Sequence, residues 1–253
     1  MAEVPQLQAI GVVGLPEIRP GDDLAALIIE ATRKQGTAIR DGDVLVVTQK
    51  VVSKAEGCLV DLREVQPSAH AREVGKATGK DPRLVEVILR ESRRIVRQEG
   101  LVLITETKHG FVCANAGVDA SNVGGGDLVA LLPEDPDRSA EAMRRAIQER
   151  AGASVAVIIS DTFGRPWREG HTNVAVGVAG MSPVRDYVGQ RDPFGFELRV
   201  STMAVADELA AAAEPVMGKL SRIPVVIVRG FAFEPGAGTA RELIRPPERD
   251  LFR

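Results

Sequence analysis

The sequence predicts a mixed α/β (α+β) fold, built as one large domain or as two closely joined ones. Short runs rich in Val and Ile have the length and composition of buried strands, and segments between them repeat apolar residues at helical spacing. Strands and helices that interleave along a chain are typical of α/β proteins. At 253 residues, with 44% hydrophobic and 4% aromatic residues, the chain can bury a large core of aliphatic side chains.

Five apolar runs are predicted to be strands. They comprise residues 8–13, 44–48, 101–105, 154–160 and 225–228. Each is rich in aliphatic residues and has the usual length of a strand. Because the sequence shows no repeat, no low-complexity tract and no long linker, we expect one unit that covers residues 1–253.

Four segments are predicted to be helices. In residues 22–35 the apolar positions recur at helical spacing. A second helix is expected to start at Asp81, an N-cap followed by proline, with an apolar stripe that continues to Ile95. Two further helices are expected at residues 139–149 and 204–213, the last ending before Pro215.

Charge and composition argue against several classes of protein. The formal net charge of −3 gives no reason to expect nucleic-acid binding, and the cluster Arg93, Arg94 and Arg97 is interpreted as a solvated helix face. No apolar run approaches the roughly 20 residues that span a bilayer, and no secretion signal is recognisable. Two cysteines are too few for a disulfide framework. We expect a cytoplasmic protein that binds neither nucleic acid nor membrane.

The densest group of polar residues occupies positions 160–173 and begins with Ser160, Asp161 and Thr162. It follows the apolar run 155–159, so a carboxylate and a hydroxyl are predicted at the end of a buried strand, where α/β proteins usually bind ligands. Two Arg, one Glu, one His and the only Trp of the chain come next. Oxygen ligands suit a hard cation and guanidinium groups suit phosphate, so this motif predicts a metal and phosphate site.

Two other segments contain residues suited to a nucleotide or a cation. In segment 48–57, an extended chain would place Lys50 and Lys54 on one face, either toward a polyphosphate or toward solvent on an edge strand. In segment 107–126, Asp119 and Asn122 precede a glycine-rich loop, as in a metal site, a phosphate site or an ordinary turn. Residues 14–21 and 216–224 are further candidates, each adjoining a predicted helix or strand.

Standard nucleotide and hydrolase motifs are absent: the sequence has no Walker P-loop, no Gly-x-Gly-x-x-Gly after a strand, no Gly-x-Ser-x-Gly and no short zinc motif. The candidate segments together nevertheless resemble the coenzyme F420-0:γ-glutamyl ligase family. The resemblance covers nearly the whole chain and rests on residues 51–57, 109–119 and 160–168, three long motifs in the family's order. Some relatives carry a C-terminal nitroreductase-like domain, which we do not expect in this chain.

The resemblance implies a GTP-dependent ligase that adds L-glutamate to the terminal carboxylate of coenzyme F420-0 and releases GDP and phosphate. In this family further γ-linked glutamates can follow. The implied fold has mixed sheets, and the implied assembly is a homodimer with the nucleotide site near the subunit interface. The expected cations are Mg²⁺ or Mn²⁺, two per subunit, with K⁺ as a further candidate.

The resemblance also implies roles for individual residues. Asp119 and Asp161 would hold one divalent cation, and Thr162 would help to hold a second. Arg165, Arg168 and His171 are candidates for binding the acceptor carboxylates or the incoming glutamate, and the sequence does not decide among them. The residues expected to contact GTP are Leu15, Pro16, Glu17, Ile18, Gln49, Lys50, Lys54, Asn122, Met217, Gly218, Lys219, Leu220, Ser221, Arg222, Ile223 and Pro224.

Lys219 departs from the pattern of those relatives that place a Gln there as a ligand of the second metal. An ammonium group cannot ligate a metal unless it is deprotonated. Either the second cation is held differently, or Lys219 contacts phosphate directly.

The implied chemistry proceeds through an acyl phosphate, because a carboxylate is a poor electrophile toward an amine. Divalent cations, Lys and Arg would offset the repulsion between the reacting anions. Two alternatives are kept: another carboxylate–amine ligase on the same scaffold, and a GTP-binding module without catalysis. Only a ligase releases GDP and phosphate in step with the consumption of glutamate.

Overall fold

The computed structural model describes residues 4–121 and 125–250 of the chain. Its strands are β1 (Gln8–Gly11), β2 (Val44–Thr48), β3 (Leu59–Asp61), β4 (Ser92–Glu99), β5 (Val102–Thr107), β6 (Val112–Ala114), β7 (Leu128–Ala130), β8 (Ala156–Arg165), β9 (Arg168–Ala179), β10 (Arg185–Asp186), β11 (Thr202–Met203) and β12 (Val225–Arg229). Its α-helices are α1 (Leu24–Lys34), α2 (Gln49–Ala55), α3 (Ala69–Thr78), α4 (Pro82–Arg90), α5 (Pro136–Ala151) and α6 (Val205–Met217).

A five-stranded sheet of order β1-β12-β2-β8-β9 forms the centre of the fold. Only β2 and β8 run parallel to each other, and their register runs from Val44 opposite Ala156 to Thr48 opposite Ser160. The other neighbours in this sheet are antiparallel. The predicted mixed α/β class with mixed sheets is therefore confirmed.

Both faces of the central sheet are covered. The side chains of β2, β12 and the first half of β8 are buried at successive positions, whereas a strand with one solvated face would alternate. Helix α5 packs against α1, β8 and β9, and α6 packs across β1, β12 and β9. Among the helices of the described part of the chain, none is long and apolar enough to cross a membrane.

A second hydrophobic core lies apart from the central sheet. It is formed by α3 and α4 with the antiparallel sheet β4-β5-β6 and the pair β3-β7. Val74, Ile88, Leu103 and Val129 are among its buried side chains. The chain thus folds around two aliphatic cores, and residues from both contribute to the candidate site described below.

The predicted helical stripe that reaches Ile95 is wrong. Helix α4 ends at Arg90, and the Ser92 hydroxyl donates a hydrogen bond to the Ile88 carbonyl at 2.6 Å. Residues from Ser92 onward form β4, because they pair with β5 over its whole length. The basic cluster Arg93, Arg94 and Arg97 therefore lies on a strand and not on a helix face.

The predicted end of the helix before Pro215 is also wrong, because α6 continues to Met217. A proline removes one hydrogen bond of a helix, and α6 continues for two residues beyond Pro215. The helix ends at Gly218, whose φ of 54° belongs to the left-handed region that glycine adopts readily. The extra turn brings residue 217 and the loop after it to the candidate site.

Candidate functional site

The site begins where β8 extends beyond the end of its parallel neighbour β2. Strand β2 ends at Thr48, opposite Ser160, whereas β8 continues to Arg165 as a hairpin with β9. The predicted strand end at residue 160 is therefore wrong. Asp161 nevertheless lies one residue beyond the end of the parallel pair, at the edge where the sequence predicted a ligand site.

Segment 48–57 is helical at its centre, so the extended interpretation and the edge-strand alternative are both wrong. Helix α2 starts directly after β2, and its buried Gln49 accepts a hydrogen bond from the Ser53 hydroxyl at 2.8 Å. Lys50 and Lys54 are four residues apart and so share one face of the helix. The two lysines therefore share a face, as predicted, but on a helix and not on an extended chain.

Lys54 is a buried lysine held by an exposed carboxylate. Its Nζ donates to Oε1 of Glu17 at 2.6 Å, and the side chains are 10% and 73% exposed respectively. This contact brings the predicted segment 15–18 to α2. Within that segment Ile18 is buried, Leu15 packs against the central core, and Pro16 and Glu17 are exposed.

Lys50 connects the central sheet to the second core. Its Nζ lies 2.7 Å from Oδ2 of Asp119 and donates to the Ser121 hydroxyl at 2.6 Å. Asp119 also accepts a hydrogen bond from the Ser121 backbone N–H and pairs with Ala130 of β7. Burial alone would raise the pKa of Asp119, but the hydrogen bonds from Lys50 and Ser121 lower it below its usual value.

Asp161 has a carboxyl group that is costly to ionise without a cation. Burial, and to a smaller extent the negative charge of Asp119, raise its pKa to about 6. The Thr162 N–H, which donates to Oδ1 at 2.8 Å, and the charges of Lys50 and Lys219 act in the opposite direction. Two carboxylates that interact in this way are a suitable pair of ligands for a divalent cation.

The hydroxyl of Thr162 has a partner both as a donor and as an acceptor of hydrogen bonds. Its Oγ1 donates to Oδ1 of Asn173 at 2.9 Å and accepts from Nζ of Lys219 at 2.7 Å. Asn173 is buried and donates through Nδ2 to the sulfur of Met217 at 3.8 Å. No specific role was predicted for Asn173. The sequence feature that could have indicated a role for Asn173 is its place as a polar residue directly before the apolar half of β9.

The predicted segment 217–224 lies next to Thr162 and the end of β2. Lys219 contacts Thr162, and the Pro224 carbonyl accepts a hydrogen bond from the Thr48 N–H at 2.9 Å. The hydroxyl of Ser221 contacts the Met217 carbonyl, and Arg222 adopts a left-handed φ of 56°. The predicted GTP-contacting segments around residues 49–54 and 217–224 thus adjoin Asp161 and Thr162, and segment 15–18 is joined to them through the contact of Glu17 with Lys54. Asn122 lies outside the described residues.

The candidates for acceptor binding lie farther along the hairpin. Arg165, Arg168 and His171 are all exposed. Because side chains alternate along a strand, His171, opposite Gly164, shares the face of Thr162, whereas Arg165 lies opposite Arg168 beyond a shift in register.

The residues present fit a hard divalent cation. The oxygen donors are the carboxylates of Asp119 and Asp161, and the neighbouring buried hydroxyl of Ser160 lacks a hydrogen-bond partner. Within residues 4–121 and 125–250, no group of three or more His, Cys, Asp or Glu side chains converges as in a zinc centre. A site with one or two carboxylates is typical of Mg²⁺ or Mn²⁺ that completes its coordination with phosphates and water.

Comparison with known proteins gives one consistent result. The model of the family F420-0:γ-glutamyl ligase matches residues 12–230. The coenzyme F420:L-glutamate ligase of Methanothermobacter thermautotrophicus is 50% identical over 250 residues, covering 98% of this chain and 99% of that protein. The protein of the same name from Methanopyrus kandleri is 48% identical, covering 100% of this chain and 100% of that protein. The one from Methanocaldococcus jannaschii is 49% identical, covering 85% of this chain and 86% of that protein.

Proposed function

Since the chain belongs to the F420-0:γ-glutamyl ligase family, we propose that it joins L-glutamate to coenzyme F420-0 in a GTP-dependent reaction. The proposal includes Mg²⁺ or Mn²⁺ as the cation, K⁺ as a further candidate, a homodimeric assembly in the cytoplasm and the addition of further γ-linked glutamates. The observation that carries it is the arrangement of Asp119, Asp161, Lys50, Lys54 and Lys219 around the end of the β2-β8 pair.

In the first step, an oxygen of the acceptor carboxylate attacks the γ-phosphorus of GTP. The bond between the γ-phosphorus and the bridging oxygen breaks, GDP leaves, and an acyl phosphate forms. Both reactants are anions, so their repulsion dominates the barrier. Lys54 would lower this repulsion by exchanging Glu17 for a phosphate oxygen. Lys50 would add its positive charge beside Asp119.

Asp119 and Asp161 would hold the divalent cation, which when bound neutralises phosphate charge. The chain's own contribution is the fixed position of these carboxylates. The Thr162 N–H orients Asp161, and the Ser121 N–H orients Asp119. Such preorganised groups need little rearrangement during the reaction.

In the second step, the glutamate amine attacks the carbonyl carbon of the acyl phosphate. The new C–N bond replaces the C–O bond to phosphate, inorganic phosphate leaves, and the amine loses a proton to solvent. Exposed Arg165, Arg168 and His171 are candidates for holding the carboxylates of glutamate or of the acceptor.

The test measures GDP and phosphate release with GTP and Mn²⁺ while glutamate and F420-0 are omitted in turn. A ligase releases both products over repeated turnovers only when both co-substrates are present. Equal release without glutamate would contradict the proposal. Release that requires glutamate but tolerates other carboxylates in place of F420-0 would favour a ligase with a different acceptor.

A further inference from the structure

The ammonium group of Lys219 donates a hydrogen bond to the hydroxyl on which the family resemblance places a second cation. Its Nζ is 2.7 Å from Oγ1 of Thr162, the hydroxyl expected from the family resemblance to help hold that cation. Lys219 is an exposed residue, so no packing forces its side chain onto Thr162. Its charge also stabilises the ionised form of Asp161, as a bound cation would.

The hydroxyl of Thr162 has little capacity left. It has one hydrogen and two lone pairs. The hydrogen is donated to Oδ1 of Asn173 and one lone pair accepts from Lys219. Asn173 is buried and is itself fixed by its contact with Met217, so the hydroxyl cannot easily turn.

Electrostatics oppose a second cation on the same oxygen. A divalent cation bound to a hydroxyl about 2.1 Å away would lie within about 5 Å of an ammonium that is 2.7 Å from that oxygen. Thr162 is neutral and cannot offset this repulsion. Asp119 differs, because its negative charge and two oxygens can accept Lys50 and a cation together.

We propose that in this chain the ammonium of Lys219 replaces the second divalent cation, so that each active site takes up one divalent cation with its nucleotide. The proposal rests on the GTP-dependent function proposed above. Lys219, which stands where some relatives have a Gln, would thus take the place of the second cation and face a phosphate oxygen of bound GTP.

The test counts Mn²⁺ per bound nucleotide. Mn²⁺ is added stepwise to the protein and a GTP analogue that has a methylene bridge between its β- and γ-phosphates, with the protein in excess over the analogue. Free Mn²⁺ is measured by electron paramagnetic resonance after each addition. Lys219→Gln restores an oxygen ligand and removes the charge, whereas Lys219→Arg keeps the charge. Lys76→Gln, at an exposed position of α3, is the matched control.

We expect one Mn²⁺ per nucleotide in the parent, in Lys219→Arg and in Lys76→Gln, and two in Lys219→Gln. Two bound Mn²⁺ in the parent, or only one in Lys219→Gln, would overturn the proposal. Neither glutamate nor F420-0 is used, so a failure of the proposed acceptor specificity would appear in the product assay and leave this count unchanged.

Discussion

At the scale of single residues, a proton and a divalent cation compete for the carboxylate of Asp161. Its pKa is raised to about 6, first by burial and then by the charge of Asp119. Below that pH the carboxyl is protonated, and a cation must displace the proton to bind. Above that pH the carboxylate is free to accept the cation.

We therefore predict that the affinity for Mn²⁺ in the presence of GTP is constant above about pH 7. It should fall by about tenfold per pH unit below the pKa, because one proton is displaced. The measurement is a Mn²⁺ titration at several pH values between 5 and 8, the range over which a group with pKa near 6 titrates. An affinity that does not change with pH would show that Asp161 is not a ligand.

The Asp161→Asn variant is the control for this interpretation, because it keeps the shape and removes the charge. Cation-dependent GTP turnover should collapse, and the thermal unfolding temperature should remain close to that of the parent. Turnover near the parental value at limiting Mn²⁺ would remove Asp161 from the site.

Lys54 is predicted to contact the phosphates of GTP. One charge-assisted hydrogen bond is worth roughly 1.5–3 kcal/mol, so Lys54→Ala should weaken GTP binding by about 10- to 100-fold. Lys54→Glu should bind more weakly still, through added repulsion. Calorimetric titration with GTP measures the affinity of both variants. Lys76→Ala serves as the control, because Lys76 is exposed on α3. Parental affinity in both Lys54 variants would mean that the lysine serves only its pairing with Glu17.

At the scale of elements, the β8-β9 hairpin positions Asp161 and Thr162, and it depends on close packing against α5. A Cβ atom on Gly177 would lie 2.4 Å from the Pro136 carbonyl oxygen, at the start of that helix. The Asp137 carboxylate accepts the Val178 N–H at 2.8 Å in the same contact. The helix and the strand can therefore approach this closely only where residue 177 lacks a side chain.

We predict that Gly177→Ala destabilises the protein by roughly 1–3 kcal/mol, as overpacking of a core does, and lowers the unfolding temperature by several degrees. Gly164→Ala, in the same hairpin, is the matched control, because nothing lies within 4 Å of its added Cβ. Differential scanning fluorimetry compares the two variants. Equal unfolding temperatures would contradict the importance of this contact.

The elements that the sequence predicted well are those with strong local signals. Strands β2 and β12 are continuous aliphatic runs, and their positions follow from composition alone. Helix α2 was missed because its two adjacent valines, Val51 and Val52, favour a strand locally, whereas burial of Gln49, Val52 and Ser53 favours the helix. The pairing of Thr162 with Asn173 depends on the register of the hairpin, which no local pattern in the sequence determined.

At the scale of the whole molecule, the candidate site lies where the two hydrophobic cores meet. Asp161 extends from the central sheet, whereas Asp119 pairs with Ala130 beside the second core. Lys50 joins the two through its contact with Asp119. The motifs around residues 119 and 161 pointed to the same site, but the long-range packing that unites them could not be read from their spacing.

The most direct test of the proposed activity is the mass of the product. The protein is incubated with GTP, Mn²⁺, L-glutamate and coenzyme F420-0, and the cofactor is analysed by mass spectrometry, with Asp161→Asn as the inactive control. We expect F420-0 to gain the mass of one or more glutamyl residues, with one GDP formed for each residue added. Unchanged F420-0 in the presence of active GTP turnover would contradict the assignment.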